Sequence, residues 1–461
     1  MKRFRPWPGV FGLGVCFLPA FVLAFLLGER GAGAANAPIA RTALATATGS
    51  VARQDRARPG QHPALHVLHS FSGTDGALPG AAVLVGVGGA LFGTTEAGGV
   101  KNLGTAYELA PSGSGYVETI LHSFVGGALD GAEPVAPVVA DASGNLYGTT
   151  PGGGVQLAAR HCAHSQYAQG CGILFTLTPS ASGYTERTMY RFMGGRGGRL
   201  PYGALVVAGS GTLEGTTMWG GAGGYGTVFN LTSGKADIMY SFAAAAGGAA
   251  TFPDGALPAG AVALSGNGTF YGTAPFGGTT NCLLNPGTNC GVVYGLAPAG
   301  SKYDYSTLHS FGGGSDGAYP QGGVVMDAQG ALYGTTELGG TANLGTVFKL
   351  TPGSSGAYVE TVIHAFQGGD DGALPLATVV VDEKGVLYGT TSSGGDANAG
   401  TIFKLTPSGS GYTERVVYAF TGGSDGAQPV AALALDKAGV LYGTALGGGA
   451  YAAGTVFALQ Q

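Results

Sequence analysis

The sequence predicts an all-β protein, a seven-bladed β-propeller with four antiparallel strands per blade. One short word of the type LYGTT recurs seven times, at intervals of 54 to 67 residues. Each interval holds four strand-like pieces separated by Gly-rich turns, and no segment carries an apolar period of 3.6 residues that is long enough for a helix. Seven copies of a four-stranded unit are typical of a propeller. The central glycines of the words are Gly93, Gly148, Gly215, Gly272, Gly334, Gly389 and Gly443.

The N-terminus has the pattern of an export signal. A basic start precedes the apolar run 9–28, and small residues follow that run. We therefore expect a signal peptide over residues 1–35, cleaved after Ala34 or Ala37. The alternative is an uncleaved membrane anchor, because the apolar run is long enough to span a bilayer. Residues 36–63 are expected to form a disordered linker.

The sixth unit illustrates the predicted blade. Its four strands are expected at residues 377–382, 386–391, 401–405 and 412–420. The segment 421–429 then crosses into the next unit. Because successive strands are joined by short Gly-rich turns, each is expected to pair with the one before it.

The last unit lacks a fourth strand. Its three strands are expected at 429–436, 440–444 and 455–459, after which the sequence ends. The repeat region, however, begins with an unpaired fourth-strand word, ALHVLHSF, at residues 64–71. We predict that this N-terminal strand completes the seventh blade, which removes an exposed sheet edge and makes residues 64–461 one domain.

The consensus of the unit can be written GxLYGTTxxGG, then GTVFKLTP, then GYTExVLySF, then DGAxP. With these words the chain resembles the Gloeo/Verruco (GloVer) tandem-repeat proteins, which are exported bacterial proteins of uncharacterised biochemical function. The resemblance covers essentially all of residues 64–461. It implies a propeller fold, and it provides no catalytic residues to transfer.

Composition narrows the classes of partner. Charged residues make up 10% of the chain and the net charge is −5, so no basic patch for nucleic acid is expected. We expect no cofactor, no contact with a membrane other than through an uncleaved signal segment, and a monomeric protein in the extracellular space or the periplasm.

Two local cysteine pairs occur between the second and third strands of their units. In an oxidising compartment each pair would form a disulfide that holds an insertion together. A metal site that combines the first pair with His161 and His164 is the alternative, and the lack of histidine in the second insertion argues against it. The expected disulfides join Cys162 to Cys171 and Cys282 to Cys290.

The fourth strands repeat two polar positions. One holds His or Tyr, and we interpret this ring with a polar tip as packing between blades rather than catalysis. The other holds glutamate, which we interpret as solvated protection of the outermost edge. The residues are His69, His122, Tyr190, Tyr240, His309, His364 and Tyr418 at the first position, and Glu118, Glu186, Glu360 and Glu414 at the second.

The loops that cross between units repeat the word DGA six times, and the third unit has GRLPYGA instead. An Asp-Gly step before a proline predicts a structural turn in which the carboxylate accepts backbone N–H groups. The alternative, a ring of Ca²⁺ ligands, would leave one carboxylate per blade, too far from the others to share an ion, so we expect no metal. These residues are Asp75, Asp130, Asp254, Asp316, Asp371 and Asp425.

Propeller topology places the crossing loops and the loops between second and third strands on one face. Long loops on a rigid scaffold commonly carry recognition, so a ligand site is expected there, near the mouth of the channel. The candidate residues are Tyr167, Trp219, Phe276, Glu96 and Glu337. None of them completes a known catalytic arrangement.

The sequence therefore favours a secreted, non-enzymatic repeat protein that presents a binding face to carbohydrate or to a cell-surface or matrix component. Two alternatives stay open: an extracellular glycan hydrolase or lyase with its site at the channel mouth, and a purely structural surface protein. Fold alone does not choose among them.

Overall fold

The computed structural model describes residues 64–155, 162, 170–181, 183–209, 211–245, 252–278, 282–284, 289–300, 302–354 and 356–461. Within them the strands form seven antiparallel four-stranded sheets in a ring, which confirms the seven-bladed propeller. The predicted signal peptide and linker, Tyr167, His161 and His164 lie outside the described residues. No helix in the described part of the chain is long and apolar enough to cross a membrane.

The blades are numbered in chain order, with strands given from the innermost outward. Blade 1 contains β2 (Leu84–Val85), β3 (Leu91–Thr95), β4 (Thr105–Ser112) and β5 (Gly115–Ser123). Blade 2 contains β7 (Val139–Ala140), β8 (Leu146–Thr150), β10 (Ile173–Ser180) and β11 (Gly183–Arg191). Blade 3 contains β12 (Val206–Val207), β13 (Leu213–Thr217), β14 (Thr227–Thr232) and β15 (Lys235–Ser241). Blade 4 contains β16 (Ala263–Leu264), β17 (Phe270–Ala274), β18 (Val292–Ala299) and β19 (Lys302–Ser310).

Blade 5 contains β20 (Val325–Met326), β21 (Leu332–Thr336), β22 (Thr346–Pro352) and β23 (Tyr358–Ala365). Blade 6 contains β24 (Val380–Val381), β25 (Leu387–Thr391), β26 (Thr401–Ser408) and β27 (Gly411–Ala419). Blade 7 contains β28 (Ala434–Leu435), β29 (Val440–Ala445), β30 (Thr455–Gln460) and β1 (Leu65–Ser70). A small ribbon pairs β6 (Gly131–Ala132) with β9 (Gly152–Gly153). Single-turn 3₁₀ segments lie at Val87–Gly89, Gly195–Gly197, Gly314–Asp316 and Gly369–Asp371.

The N-terminal strand closes the ring. β1 pairs antiparallel with β30, from Leu65 opposite Leu459 to Ser70 opposite Thr455. The hydroxyl of Thr444 in blade 7 also donates to the backbone carbonyl of Ala81, 3.0 Å away, in the segment that leads into blade 1. The predicted closure is therefore present, and the two ends of the repeat region are held together without a covalent bond.

The innermost strands are shorter than predicted. The sequence favours a strand over 377–382, whereas only Val380–Val381 pairs with its neighbour. The carbonyl of Ala377 instead accepts a hydrogen bond from the hydroxyl of Thr335 in the preceding blade, at 2.8 Å. The first half of this segment thus bonds to the blade before it, which shortens the ladder within its own blade.

The core lies between adjacent blades. At every junction the Phe that directly follows one fourth strand meets, edge to face, an aromatic ring in the third strand of the next blade. That ring lies over the central glycine of the LYGTT word, where a side chain would collide with it in six blades and would stand 3.1 Å from it in blade 3. The seven pairs are Phe71–Tyr107, Phe124–Phe175, Phe192–Phe229, Phe242–Tyr294, Phe311–Phe348, Phe366–Phe403 and Phe420–Phe457, with ring centroids 5.1 to 5.3 Å apart.

Every fourth strand carries a β-bulge at one equivalent place. In blade 1 the register between β4 and β5 shifts between Ala106 and Tyr107, so that Leu121 is the extra residue. Simple alternation would put Glu118 and His122 on one face of the sheet. The bulge puts them on opposite faces, because one inserted residue reverses the alternation beyond it. Glu118 therefore faces the preceding blade and His122 the following one.

Candidate functional site

The loop face is organised by one short antiparallel contact per blade. In each case a residue of the crossing loop pairs with a residue just after the second strand. Across the described residues this contact is made seven times. The pairs are Ala77 with Ala97, Ala132 with Gly152, Arg199 with Trp219, Ala256 with Phe276, Ala318 with Leu338, Ala373 with Ser393 and Ala427 with Gly447.

Large side chains at these paired positions occur in three adjacent blades. Trp219 in blade 3, Phe276 in blade 4 and Leu338 in blade 5 occupy the place that Ala, Gly or Ser takes in the other four. All three side chains are half-buried. Since the backbone contact is the same in every blade, the fold does not require these large side chains. They are the feature that makes this sector of the loop face different.

Half-buried aromatic rings extend this sector into what we call the aromatic band, formed by Trp219, Tyr225, Phe276 and Tyr319. The ring of Trp219 lies 6.2 Å from that of Tyr225, and the ring of Phe276 lies 5.7 Å from that of Tyr319. The guanidinium of Arg199 lies over Trp219, 5.7 Å from the ring centre. Burial lowers the pKa of Arg199.

The two halves of the aromatic band are joined by the loop that crosses from blade 3 to blade 4. Tyr225 contacts Phe252 with ring centres 4.4 Å apart, and its carbonyl accepts the N–H of Leu257. Ala256 in the same loop pairs with Phe276. The same crossing loop therefore contacts both ring pairs of the band.

A carboxyl group borders the aromatic band in blade 5. Glu337 is 8% exposed, and its carboxylate accepts a hydrogen bond of 3.0 Å from the side-chain amide of Gln321. Burial raises the pKa of Glu337, while the bond from Gln321 acts in the opposite direction. Its backbone N–H donates to the carbonyl of Tyr319, which places this polar pair directly beside the band.

Glu96 takes the same position in blade 1. Burial, with the nearby charge of Glu133, raises the pKa of Glu96 to about 7. Glu133 stands in the loop that crosses to blade 2, where its backbone has a φ of 57°.

Seven such left-handed residues occur, one before the proline of each crossing loop: Leu78, Glu133, Leu200, Leu257, Tyr319, Leu374 and Gln428.

Of the predicted ligand residues, the structure brings Trp219, Phe276 and Glu337 together in one sector and places Glu96 apart from them, in blade 1. Tyr167 lies outside the described residues. Sequence reasoning missed Arg199, Tyr225, Tyr319 and Gln321. The first of these could have been found by aligning the crossing loops, because Arg199 stands where the six other loops have Ala next to Gly.

Both predicted disulfides are present, and their sulfurs are buried. Cys162 and Cys171 pack with the core between blades 2 and 3, and Cys282 and Cys290 with the core between blades 4 and 5. The carbonyls of Cys171 and Cys290 accept the backbone N–H groups of Leu200 and Tyr319. The disulfides thus support the loop face on both sides of the aromatic band.

The aspartates of the crossing loops accept bonds both from backbone and from the ring of the fourth strand. In the loop after blade 5, the carboxylate of Asp371 accepts the N–H of Gln367 at 2.6 Å and lies 2.9 Å from Nε2 of His364. Where the ring is tyrosine, the hydroxyl donates to Asp, as from Tyr418 to Asp425 at 3.0 Å. The junction between blades 2 and 3 has Gly197 in place of Asp.

The glutamates of the fourth strands are not solvated edge residues, so that expectation is wrong. The bulge turns each of them toward the His and Asp of the preceding blade. One carboxyl oxygen of each, in Glu118, Glu186, Glu360 and Glu414, is buried without a hydrogen-bond partner. Burial, with Asp75, Asp316 and Asp371 respectively, raises the pKa of Glu118, Glu360 and Glu414 to about 7, and burial raises that of Glu186.

Glutamate and histidine occur together at these junctions. The four junctions with a histidine have a glutamate on the following blade, and the three with a tyrosine have none. We call each such group of three a His–Asp–Glu triplet, and name a junction by its two blades. The triplets are His69, Asp75 and Glu118 at junction 7/1; His122, Asp130 and Glu186 at 1/2; His309, Asp316 and Glu360 at 4/5; and His364, Asp371 and Glu414 at 5/6.

The sequence model of the Gloeobacter/Verrucomicrobia repeat matches residues 45–159, 158–380 and 283–461. The chain belongs to the Gloeobacter/Verrucomicrobia repeat family. This membership confirms the resemblance seen in the repeated words.

No curated protein matches the sequence. Among solved structures, one similar chain is a Bacteroides fragilis protein provisionally named a 6-phosphogluconolactonase. It shares 13% identity, and the match covers 73% of this chain and 82% of that one, with a TM-score of 0.44. A similarity this weak gives no information about activity.

Proposed function

We propose that this member of the Gloeobacter/Verrucomicrobia repeat family is an exported, non-enzymatic protein whose loop face binds carbohydrate through the aromatic band. The observation that carries the proposal is the confinement of large side chains to blades 3 to 5, at positions where the other blades have Ala, Gly or Ser. The other four blades form the same backbone contact with small side chains, so a role in recognition accounts for the large ones.

The chemistry of the sector suits a sugar. Half-buried aromatic rings offer flat apolar surface to the C–H face of a pyranose, and a few fixed polar groups orient its hydroxyls. Here the Gln321–Glu337 pair and Arg199 are those polar groups. The two buried disulfides support an oxidising, extracytoplasmic location.

The test is binding of the purified protein to a glycan array, followed by calorimetry with the best ligand. Trp219→Ala should weaken binding at least tenfold, because stacking surface is lost. Tyr451→Ala is the matched control, since Tyr451 lies in the equivalent loop of blade 7 and is 66% exposed. A uniformly blank array, or equal loss in both variants, would overturn the proposal.

A second candidate, glycan hydrolysis, rests on Glu96. Two carboxyl groups, one protonated near neutral pH, are what acid catalysis at a glycosidic bond needs. Glu96 with its raised pKa and the neighbouring Glu133 offer such a pair in blade 1. Release of reducing ends from a bound glycan by the wild type and not by Glu96→Gln would favour this function. Binding without turnover would exclude it.

A further inference from the structure

Three of the His–Asp–Glu triplets bring ligand atoms of the kind that bind transition metals into one small volume. At junctions 1/2, 4/5 and 5/6 an imidazole nitrogen and one oxygen from each carboxyl group all lie within 4.8 Å of one another. The residues come from three different elements: the fourth strand of one blade, the crossing loop and the fourth strand of the next blade.

The spacing of the His and Asp atoms fits two ligands of one ion. Nε2 lies 3.2, 3.0 and 2.9 Å from the carboxylate oxygen in the three triplets. Ligand atoms about 2.0–2.1 Å from a shared ion stand about 2.9–3.4 Å apart, depending on the geometry. The separation of the His and Asp atoms is therefore one that two ligands of a single ion can have.

Both of these ligands are held in place by groups outside the triplet. Each Asp is fixed by a backbone N–H, from Val125, Gly312 or Gln367 at 2.8, 2.6 and 2.6 Å. Each His ring rests edge-on against the Phe two residues later, with ring centres 4.7 Å apart. Ligands that are fixed in this way bind an ion more tightly, because little freedom is lost on binding.

The glutamate supplies an independent observation. Its buried oxygen has no hydrogen-bond partner in Glu186, Glu360 or Glu414. A buried, unsatisfied carboxyl oxygen calls for an explanation, and a bound ion is one. Glutamate accompanies histidine and not tyrosine, and imidazole, unlike a neutral phenol, is a good metal ligand.

We propose that junctions 1/2, 4/5 and 5/6 each bind one divalent transition-metal ion, with Zn²⁺ as the reference ion, through the His nitrogen and the two carboxylates. One imidazole with two carboxylates favours Zn²⁺ or Mn²⁺ over Ca²⁺, which takes six to eight oxygens. Water completes the coordination, since the His and Asp side chains retain 10 to 28% exposure. Each ion ties two blades together at the rim of the loop face.

The chain itself provides a substitution that should fold. Junction 6/7 uses Tyr418, Asp425 and Leu65, so His364→Tyr with Glu414→Leu converts junction 5/6 into an arrangement already present in the molecule. The reverse change, Tyr418→His with Leu65→Glu, builds a triplet at junction 6/7. These two double variants form a matched pair for one measurement.

The measurement is a titration of metal-free protein with Zn²⁺ against a chromophoric chelator. Wild type should bind three equivalents with a Kd below about 10 μM, the first double variant two, and the second four. Zn²⁺ should also raise the melting temperature of all three, least in the first. No Zn²⁺ binding by wild type, or unchanged stoichiometry in both double variants, would overturn the proposal. A proton shared within the triplet would then be the reason that glutamate accompanies histidine.

Discussion

At the scale of single residues, the glycine of the LYGTT word is required by an aromatic ring rather than by backbone conformation. A side chain at Gly334 would stand 2.5 Å from Cζ of Phe348, which is fully buried. The same collision occurs at five other copies, whereas at Gly215 a side chain would meet Leu205 at 2.9 Å and the ring of Phe229 at 3.1 Å. The repeated glycine and the repeated aromatic ring of the third strand are thus two halves of one packing contact.

We predict that Gly334→Ala destabilises the protein by about 1–3 kcal/mol, the usual cost of overpacking a core. The control is Gly411→Ala, because a side chain at Gly411 meets nothing within 4 Å. Urea unfolding of the two variants measures the difference. Equal stability of both variants would show that the ring of Phe348 moves aside at no cost.

In blade 3 the same word contains a buried carboxyl group. Glu214 replaces the aromatic residue of LYGTT in blade 3, is 6% exposed and has a carboxyl oxygen without a partner. Burial raises its pKa from 4.5 to about 7. Because the folded pKa is the higher one, the stability that this carboxyl group contributes is complete below about pH 4.5 and is lost as pH rises through 7.

Glu214→Gln should therefore become more stable relative to wild type as pH rises from about 4.5 to 7, by up to about 3 kcal/mol, and then stay level. The free energy of unfolding of both proteins, measured by urea from pH 4.5 to 8.5, checks this. The other glutamates with raised pKa cancel, since both proteins have them. A difference that does not depend on pH would contradict the prediction.

At the scale of elements, the bulge of the fourth strand decides which blade each polar side chain serves. It turns His and Glu of one strand to opposite sheet faces, so every triplet is shared between two blades. The disulfides act at the same scale, each closing a loop beside a core between blades. Blade contacts therefore depend on small features of single strands and loops.

Removing one disulfide, by Cys282→Ala with Cys290→Ala, should cost about 2–3 kcal/mol on the chain-entropy treatment of a short loop. The expected result is a lower melting temperature under oxidising conditions. The variant that also lacks Cys162 and Cys171 should melt at one temperature with or without dithiothreitol. A wild type that is indifferent to dithiothreitol would count against any stabilising role.

At the scale of the whole molecule, the ring depends on a strand nearly four hundred residues from its partner. β1 covers the outer edge of β30, and without it that edge would be exposed. Each blade packs on two neighbours, so an open ring loses one junction and the cooperativity that closure provides.

Deletion of residues 64–71 should therefore destabilise all blades together. A permuted variant with these residues placed after Gln461 through a flexible linker should regain most of the melting temperature, because the strand can then pair with β30 again. Deletion of residues 36–62 is the control and should leave melting unchanged. A normal melting curve after loss of 64–71 would refute closure by this strand.

The sequence by itself determined the number of blades, the order of strands and the closure, because each rests on patterns that repeat along the chain. It also determined the disulfide pairs, since each joins cysteines that are close in sequence. These features need only local spacing and the alternation of strands. Repetition made these predictions reliable, because the same pattern occurs in each of the seven units.

Only the tertiary structure decided where the polar groups meet. The bulge cannot be read from alternation, which would put Glu360 and His364 on one face of the sheet. In the structure they belong to triplets at different junctions. Likewise, Trp219 and Phe276 are 57 residues apart in sequence, and only the stacking of blades brings them into one band. Contacts between blades join distant residues through a backbone register, which composition and spacing do not specify.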